Sequence, residues 1–281
     1  MLLPLCNNQK FGLIIGAGDL AQSVLKALDA QEVYCVIFDH MPQTHWIKQT
    51  HHTWFECKMG HIGSALDFFK KHGVTELVFA GHMKRPNFLT LSLDSKGKEL
   101  LTYMGKSIFK GDDTLLKMLI SFLTLEGFHV HSTIDILNVQ QDHYQTHLQP
   151  LPDQWDDIHF GARLLQALSP FDVGQAVVIE KGLILGIEAI EGTQDLMRRV
   201  APLQNAQKSS ILIKISKTNQ TLLADVPTIG RQTVLDAHAH GFCGIALEKN
   251  KTQMIDPQAV IEEADRYGLF IVFIDLPPHV S

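Results

Sequence analysis

The chain has 281 residues, which favours two modest domains over one large one. Hydrophobic residues make up 45% and charged residues 19%, the composition of an ordinary globular core. The net charge of −6 carries no basic excess, so nucleic acid is not an expected partner.

From the N-terminus, "FGLII" (11–15) reads as a buried strand that runs into the glycine turn "GAGD". "LAQSVLKALDA" (20–30) has apolar residues at helical spacing, and "VYCVIF" (33–38) is a second buried strand ending at Asp39. "HTWFEC" (52–57) reads as a third strand. "IGSALDFFKKHG" (62–73) is a helix with Gly73 at its C-terminal cap, and "ELVFAG" (76–81) is another buried strand. This alternation predicts βαβ units and a parallel sheet, hence a Rossmann-like first domain. Helical patterns follow over 95–108 and 113–127, and "FHVHS" (128–132) reads as one more strand. The polar stretch 138–154 contains two prolines and reads as a linker. These readings set a first domain over 1–137 and a second over 155–281.

The second half opens with a helix in "WDDIHFGARLLQALSPFDVG". In "QAVVIEKGLILGIEAIEG" (175–192) two β-rich runs flank "EKG", the signature of a hairpin. "SILIKI" (210–215) is a strand, "QTVLDAHAHG" a helix and "CGIALEKNKTQMID" a second hairpin. "PQAVIEEADRYG" is a helix with Pro257 in its first turn, and "LFIVFI" (269–274) is the closing strand. The predicted fold class is therefore α/β with two domains: a Rossmann-like parallel sheet, then a mixed α/β domain with a β-hairpin.

The cysteines, Cys6, Cys35, Cys57 and Cys243, include no CxxC pair, so neither a zinc signature nor a disulfide framework is expected, in keeping with a reducing cytoplasm. The N-terminus lacks a signal-peptide pattern. No stretch approaches the roughly 18 apolar residues that span a bilayer. The expectation is a cytoplasmic protein that at most lies on a membrane surface.

Several motifs carry chemistry, each beside a plainer reading. "GAGDLA" fits GxGxxA through Gly16, Gly18 and Ala21, with Asp39 where a ribose-binding acid would sit. The alternative is a simple turn at a strand–helix joint, and Asp19 would bring negative charge towards a pyrophosphate. "GHMKRP" follows a buried strand, where open α/β sheets collect ligands. Gly81 permits close approach there, and Lys84 and Arg85 suit a phosphate, or form a solvated basic loop. "KGDD" sets Asp112 and Asp113 before a helix, as caps or as oxygen ligands for Mg²⁺. "GIEAIEGTQD" gathers Glu188, Glu191 and Asp195. The two glutamates converge only if the chain turns before Glu191, and Thr193 is expected to cap a helix. "IKISKTNQ" supplies Lys214, Lys217 and Gln220 ahead of Asp225, the cation–carboxylate mix a pyrophosphate–metal site needs. Of the 15 histidines, "HAH" (238–240) and "HH" (51–52) are the densest clusters, but the first has a helical context and no third ligand nearby.

The order "GLIIGAGDL", "GHMKRP", "KGDD", "DVGQAVVIEKGLILGIEAIEGTQ", "IKISK" and "DVPTIGRQTV" strongly resembles the LpxI-type UDP-2,3-diacylglucosamine pyrophosphatases of lipid A biosynthesis, over nearly the whole chain. The resemblance implies a Mg²⁺-dependent hydrolase with its lipid substrate held between two domains. Water would attack the β-phosphorus of UDP-2,3-diacylglucosamine, giving UMP and lipid X. The family's essential aspartate matches Asp225, as metal ligand or as the base that orients water. The candidate metal ligands are Asp225, Glu188, Glu191 and Asp113. The candidate substrate-binding residues are Gly16, Gly18, Asp19, Gly81, Lys84, Arg85, Gln175, Thr193, Lys214, Lys217 and Thr228. Peripheral contact with the inner membrane and a homodimer are further expectations. Two rival readings stand beside this one: an NAD(P)-dependent oxidoreductase using the GAGDLA turn, which leaves the hairpin acids idle, and a lipid-binding protein without catalysis, which explains none of the acids.

Overall fold

The computed structural model describes residues 9–109, 111–137, 144–205, 209–217, 221–224 and 226–276. The chain divides into two compact units, Met1–Asn138 with Thr221–Asp225, and Val139–Gln220 with Val226–Ser281.

The first unit is a parallel α/β sheet. Its strands are β1 (Lys10–Ile15), β2 (Glu32–Phe38), β3 (Thr53–Cys57), β4 (Glu76–Ala80) and β5 (His129–His131), in the spatial order β3-β2-β1-β4-β5 with every pair parallel. The helices are α1 (Leu20–Ala27), α2 (Ile62–Lys71), α3 (Ser95–Met104), α4 (Asp112–Leu125) and α5 (Thr133–Leu137). Both faces of the sheet are covered, which is why its central strands read as continuous apolar runs. Along β1, Phe11, Leu13 and Ile15 enter one core with Val24 and Leu28 of the α1 region. Ile14 enters the opposite core with Phe69 of α2 and Phe122 of α4. The helix expected over 95–108 stops at Met104: Gly105 takes a left-handed φ of 49° and the chain tightens into a 3₁₀ turn over Gly105–Phe109.

The second unit is a mixed sheet. In chain order it contains α6 (Pro152–Leu168), β6 (Ala176–Glu180), β7 (Leu183–Ile187), α7 (Thr193–Val200), β8 (Ser210–Lys214), β9 (Thr228–Ile229), α8 (Arg231–Ala239), β10 (Phe242–Glu248), β11 (Gln253–Met254), α9 (Pro257–Tyr267) and β12 (Phe270–Ile274). The main sheet has the order β12-β10-β8-β6-β7. β12, β10 and β8 run parallel, while β6 is antiparallel to both β8 and β7. The β6–β7 hairpin closes through Lys181 (φ 48°) and Gly182 (φ 77°), the two left-handed residues of a primed turn. The Gly182 N–H donates to the Asp157 carboxylate at 2.7 Å, fixing the turn to α6. Residues 144–151 dock on this unit: buried Thr146 accepts from the Ile271 N–H at 2.9 Å, and the His147 N–H donates to Asp265 at 2.7 Å.

"CGIALEKNKTQMID" is not a hairpin. β10 is buried along its whole length between β8 and β12, so both of its edges are taken. The chain turns away at left-handed Asn250, where the Thr252 hydroxyl donates to the Glu248 carbonyl at 2.6 Å. β11 then pairs, in parallel, with β9 in a separate two-stranded sheet. The all-apolar, two-faced burial of a central strand distinguishes it from a hairpin arm, and that burial depends on contacts distant in sequence.

Candidate active site

In the first unit β1 lies between β2 and β4, and the chain reverses its direction of travel across the sheet there. This is the switch point at which open α/β sheets place ligands. The turns after β1 and β4 meet across it. The Ala17 N–H donates to the His82 carbonyl at 2.7 Å, and the His82 N–H returns to the Ala17 carbonyl at 2.8 Å. Gly16 and Gly81 permit that approach. A Cβ on Gly16 would sit 2.6 Å from the Gly81 carbonyl carbon, and one on Gly81 would sit 2.7 Å from the Ala17 oxygen. Gly81 also has a φ of 103° and Gly18 a φ of 94°. Gly16 thus serves a backbone crossing, whereas Gly18 serves the turn through its φ and has open space around it. Asp19 is exposed before α1 and makes no side-chain cap bond.

Lys84 is exposed. Arg85 is tied to the start of α4: its guanidinium donates to Asp112 at 3.0 Å and to the Ile108 carbonyl. Asp113, in the first turn of α4, bonds in two directions. Its Oδ1 accepts from the Thr221 N–H at 2.9 Å, and its Oδ2 pairs with Lys117 at 2.6 Å. A second tie is made by Ser132, whose hydroxyl donates to the Leu222 carbonyl at 2.7 Å. Leu223 and Ala224 then pack against the core formed by α2, α3 and α4. The apolar "LLA" that precedes the expected catalytic aspartate is thereby built into the first unit. Asp225 itself lies outside the described residues.

In the second unit the expected residues gather at one end of the mixed sheet. Glu188 is buried, with both oxygens in use: Oε2 accepts from the Gln175 N–H at 2.9 Å and Oε1 from the Thr193 hydroxyl at 2.7 Å. Thr193 does not cap α7, because Gly192 holds the N-cap position and leaves the threonine hydroxyl to Glu188. The chain turns after Ile187, and Glu191 pairs with Arg199 at 2.7 Å while accepting from the Ala189 N–H at 3.1 Å. The Arg199 hydrogen bond, with backbone N–H help, holds the Glu191 carboxyl below its ordinary value.

The Gln175 carbonyl accepts from the Ile215 N–H at 3.0 Å, which joins this loop to the end of β8. Buried Lys214 donates to the Thr228 carbonyl at 3.0 Å, and Lys217 pairs with Asp172. Glu248, Ser216 and Asp172, which sequence reasoning passed over, complete the group. Glu248 is buried at the end of β10, where its Oε2 accepts from the Ser216 N–H at 2.8 Å and the Ser216 hydroxyl at 2.7 Å. Asp172, with a φ of 54°, anchors Lys217. Glu248 stands at the carboxyl end of an apolar run, the same signal that drew notice to Asp225, but the hairpin reading hid it.

The gathered chemistry consists of amide donors, hydroxyls and two lysines held by carboxylates and carbonyls at the carboxyl ends of β8 and β10. The lysine ammonium groups of this set suit the oxygens of a phosphate group, while the amides and hydroxyls named above donate to Glu188 and Glu248.

Comparison with known proteins puts a domain boundary near residue 140, where the chain first passes from one unit to the other. The LpxI N-terminal domain matches residues 10–139 and the LpxI C-terminal domain residues 141–272. The chain is 31% identical over 226 residues to the UDP-2,3-diacylglucosamine pyrophosphatase LpxI of Caulobacter vibrioides, covering 77% of this chain and 80% of that protein. Among solved structures, CobK precorrin-6A reductase is similar at a TM-score of 0.33 and 11% identity, over 96% of this chain and 88% of that one, a likeness too faint to carry any argument. With both family domains matched in order and a relative 31% identical over 77% of the chain, the chain belongs to the LpxI family.

Proposed function

We propose that the chain hydrolyses the pyrophosphate of UDP-2,3-diacylglucosamine, the activity named for its Caulobacter relative. The observation that carries this reading is the match of both LpxI domains over residues 10–139 and 141–272. The chain is accordingly an enzyme, a phosphoric anhydride hydrolase acting on a UDP-sugar lipid.

The finer mechanism is also a proposal. A pyrophosphate diester carries two negative charges that repel an incoming nucleophile, so the site must neutralise them and hold water in line. We assign water attack to the β-phosphorus, with UMP as the leaving group and lipid X, the 2,3-diacylated glucosamine 1-phosphate, as the other product. Asp225 orients that water or ligates the metal. Magnesium suits a site with one or two carboxylates, because it keeps several waters and accepts phosphate oxygens as ligands. Asp113 fits this need: its carboxylate is fixed by the N–H of Thr221, on the short stretch of backbone that leads to Asp225. Asp113 and Asp225 are then the residues that would hold the ion, which when bound would offset phosphate charge. Glu188 and Glu191 are engaged by Gln175, Thr193 and Arg199, a pattern that suits holding the loop in shape. In the second unit, Lys214, Lys217 and Gln175 are assigned to binding the substrate. No helix among the described residues is long and apolar enough to cross a membrane, so we assign access to the lipid to contact at the membrane surface.

The test is hydrolysis of the UDP-sugar lipid in ¹⁸O-water, followed by ³¹P and mass detection. Label in lipid X with unlabelled UMP is expected, and label in UMP would move the attack to the α-phosphorus. EDTA should abolish turnover and added Mg²⁺ restore it; full turnover in EDTA would remove the metal. Absence of any UMP from wild-type protein in Mg²⁺ would overturn the activity itself.

A further inference from the structure

His129 and His131 alternate with Val130 along β5, so their side chains leave the strand on the same face. Among the described residues β5 is the edge strand of the first sheet and pairs only with β4, in a parallel register that sets Glu76 opposite His129. Three ligand atoms converge there. Glu76 Oε2 lies 2.5 Å from His131 Nε2 and 3.1 Å from His129 Nδ1, and the two ring nitrogens lie 3.1 Å apart. Protons serve such a triangle badly. If both nitrogens donate to the single oxygen, two N–H groups crowd together; if one donates to the other ring, its bond to the oxygen is lost. A cation in the middle takes a lone pair from each atom.

We propose that Glu76, His129 and His131 form a binding site for one divalent transition cation of the zinc class, on the edge of the N-terminal sheet. It is separate from the magnesium chemistry assigned above and does not rest on it.

The donor set selects the ion. Two neutral imidazoles and one carboxylate suit zinc and its borderline neighbours, whereas magnesium demands oxygen ligands. Three protein ligands leave a fourth position for water. The surroundings hold the ligands in place. The Thr75 hydroxyl donates to the other oxygen of Glu76 at 3.0 Å, the kind of outer contact that orients a ligating carboxylate. His131 is 12% exposed and lies against the Phe11 ring at 5.6 Å between centroids, so it is the fixed ligand. His129 is 64% exposed, which gives the ion an entry path and lets that ring move outward. Bonds of about 2.0–2.2 Å need ligand atoms somewhat further apart than the observed 2.5–3.1 Å. Outward movement of the exposed His129 ring can lengthen its two 3.1 Å separations, and a turn of the Glu76 carboxylate the 2.5 Å one.

A bound ion would staple the three-residue edge strand to β4. Ser132, which holds the Leu222 carbonyl, directly follows that strand. Metal is therefore expected to raise the melting temperature of the protein.

The experiment uses full-length protein without an affinity tag, stripped with chelator and dialysed. It is titrated with Co²⁺, read by visible absorption, and with Zn²⁺, read by calorimetry and thermal melting. One saturable equivalent with four-coordinate cobalt bands and an upward shift in melting temperature is expected. His129→Ala, at an exposed ring, should fold normally and weaken zinc binding by about 100-fold or more, since loss of mere outer-shell partners already costs about 10–100-fold. Glu76→Gln should weaken it too. His51→Ala/His52→Ala, at a separate pair of histidines, should leave it unchanged. No saturable uptake by the wild type, or stoichiometric uptake that survives His129→Ala/His131→Ala, would overturn the site.

Discussion

Thr221, Leu222, Leu223 and Ala224 lead directly into Asp225, and all four are held: two by hydrogen bonds to Asp113 and Ser132, two by packing on the core. A residue that served only as a turn cap would need no such approach. As a cap, loss of Asp225 would cost about 1 kcal/mol of stability and leave chemistry intact. As metal ligand or base, its loss should slow turnover by roughly 100-fold or more. Asp225→Asn keeps size and hydrogen bonding and removes only the charge. The expected outcome is a folded protein that binds substrate and hardly turns it over, measured as kcat beside the melting temperature. If the variant retains more than about a third of wild-type kcat, less than about 1 kcal/mol of barrier is involved. The carboxylate would then be structural.

Between elements, two contacts carry measurable weight. Where the turns after β1 and β4 cross, Gly16→Ala would drive a methyl to 2.6 Å from the Gly81 backbone, which cannot rotate away. Overpacking of this kind costs about 1–3 kcal/mol, so thermal or urea unfolding should report a loss in that range. Unchanged stability would show that the crossing tolerates separation. Glu126, at the end of α4, receives Lys70 of α2 at 2.8 Å and Lys96 of α3 at 2.5 Å. The Lys70 hydrogen bond first, then that of Lys96, lowers its carboxyl below the ordinary value. A group lowered on folding stabilises the protein above its unfolded pKa, and that contribution is lost as pH falls through the folded value. Glu126→Gln should therefore cost up to about 1 kcal/mol at neutral pH and nothing once the carboxyl is protonated. The stability curves of variant and wild type should converge in acid; parallel curves would dismiss the clamp. Legibility in the sequence follows the same division between local and distant contacts. The parallel strands of the first sheet show as apolar runs because both faces are buried, and the β6–β7 hairpin shows because "EKG" supplies its left-handed turn. β10 was misread because the identity of a strand's neighbours is not a local property. Thr193 has a cap's position in sequence, yet Gly192 takes that place and the hydroxyl turns to Glu188. The His129–His131 pair was missed for the same reason: "HVH" is visible, but the Glu76 that completes it arrives through strand register.

At the scale of the whole molecule, the candidate site was legible mainly as types of residue in order. Gln175, Lys214, Lys217 and Thr228 do gather at one end of the second sheet, through backbone and side-chain bonds that no spacing rule announces. The return of Thr221–Asp225 to the first unit, after more than eighty residues spent in the other, has a consequence for inheritance and for engineering. The gene is not expected to give two self-sufficient cassettes when cut at the boundary its family domains suggest. A fragment ending at Asn138 would lack Leu223 and Ala224 and so expose the apolar patch they cover. It should be sticky, bind hydrophobic dyes and melt early. Appending residues 221–225 through a flexible glycine–serine tether should restore a sharp transition, and failure of the tether to do so would show that the first half is whole without its borrowed strip. Recombination or domain shuffling at residue 139 would thus separate a module from part of its own interior, so the two halves are expected to travel through evolution as one indivisible cargo.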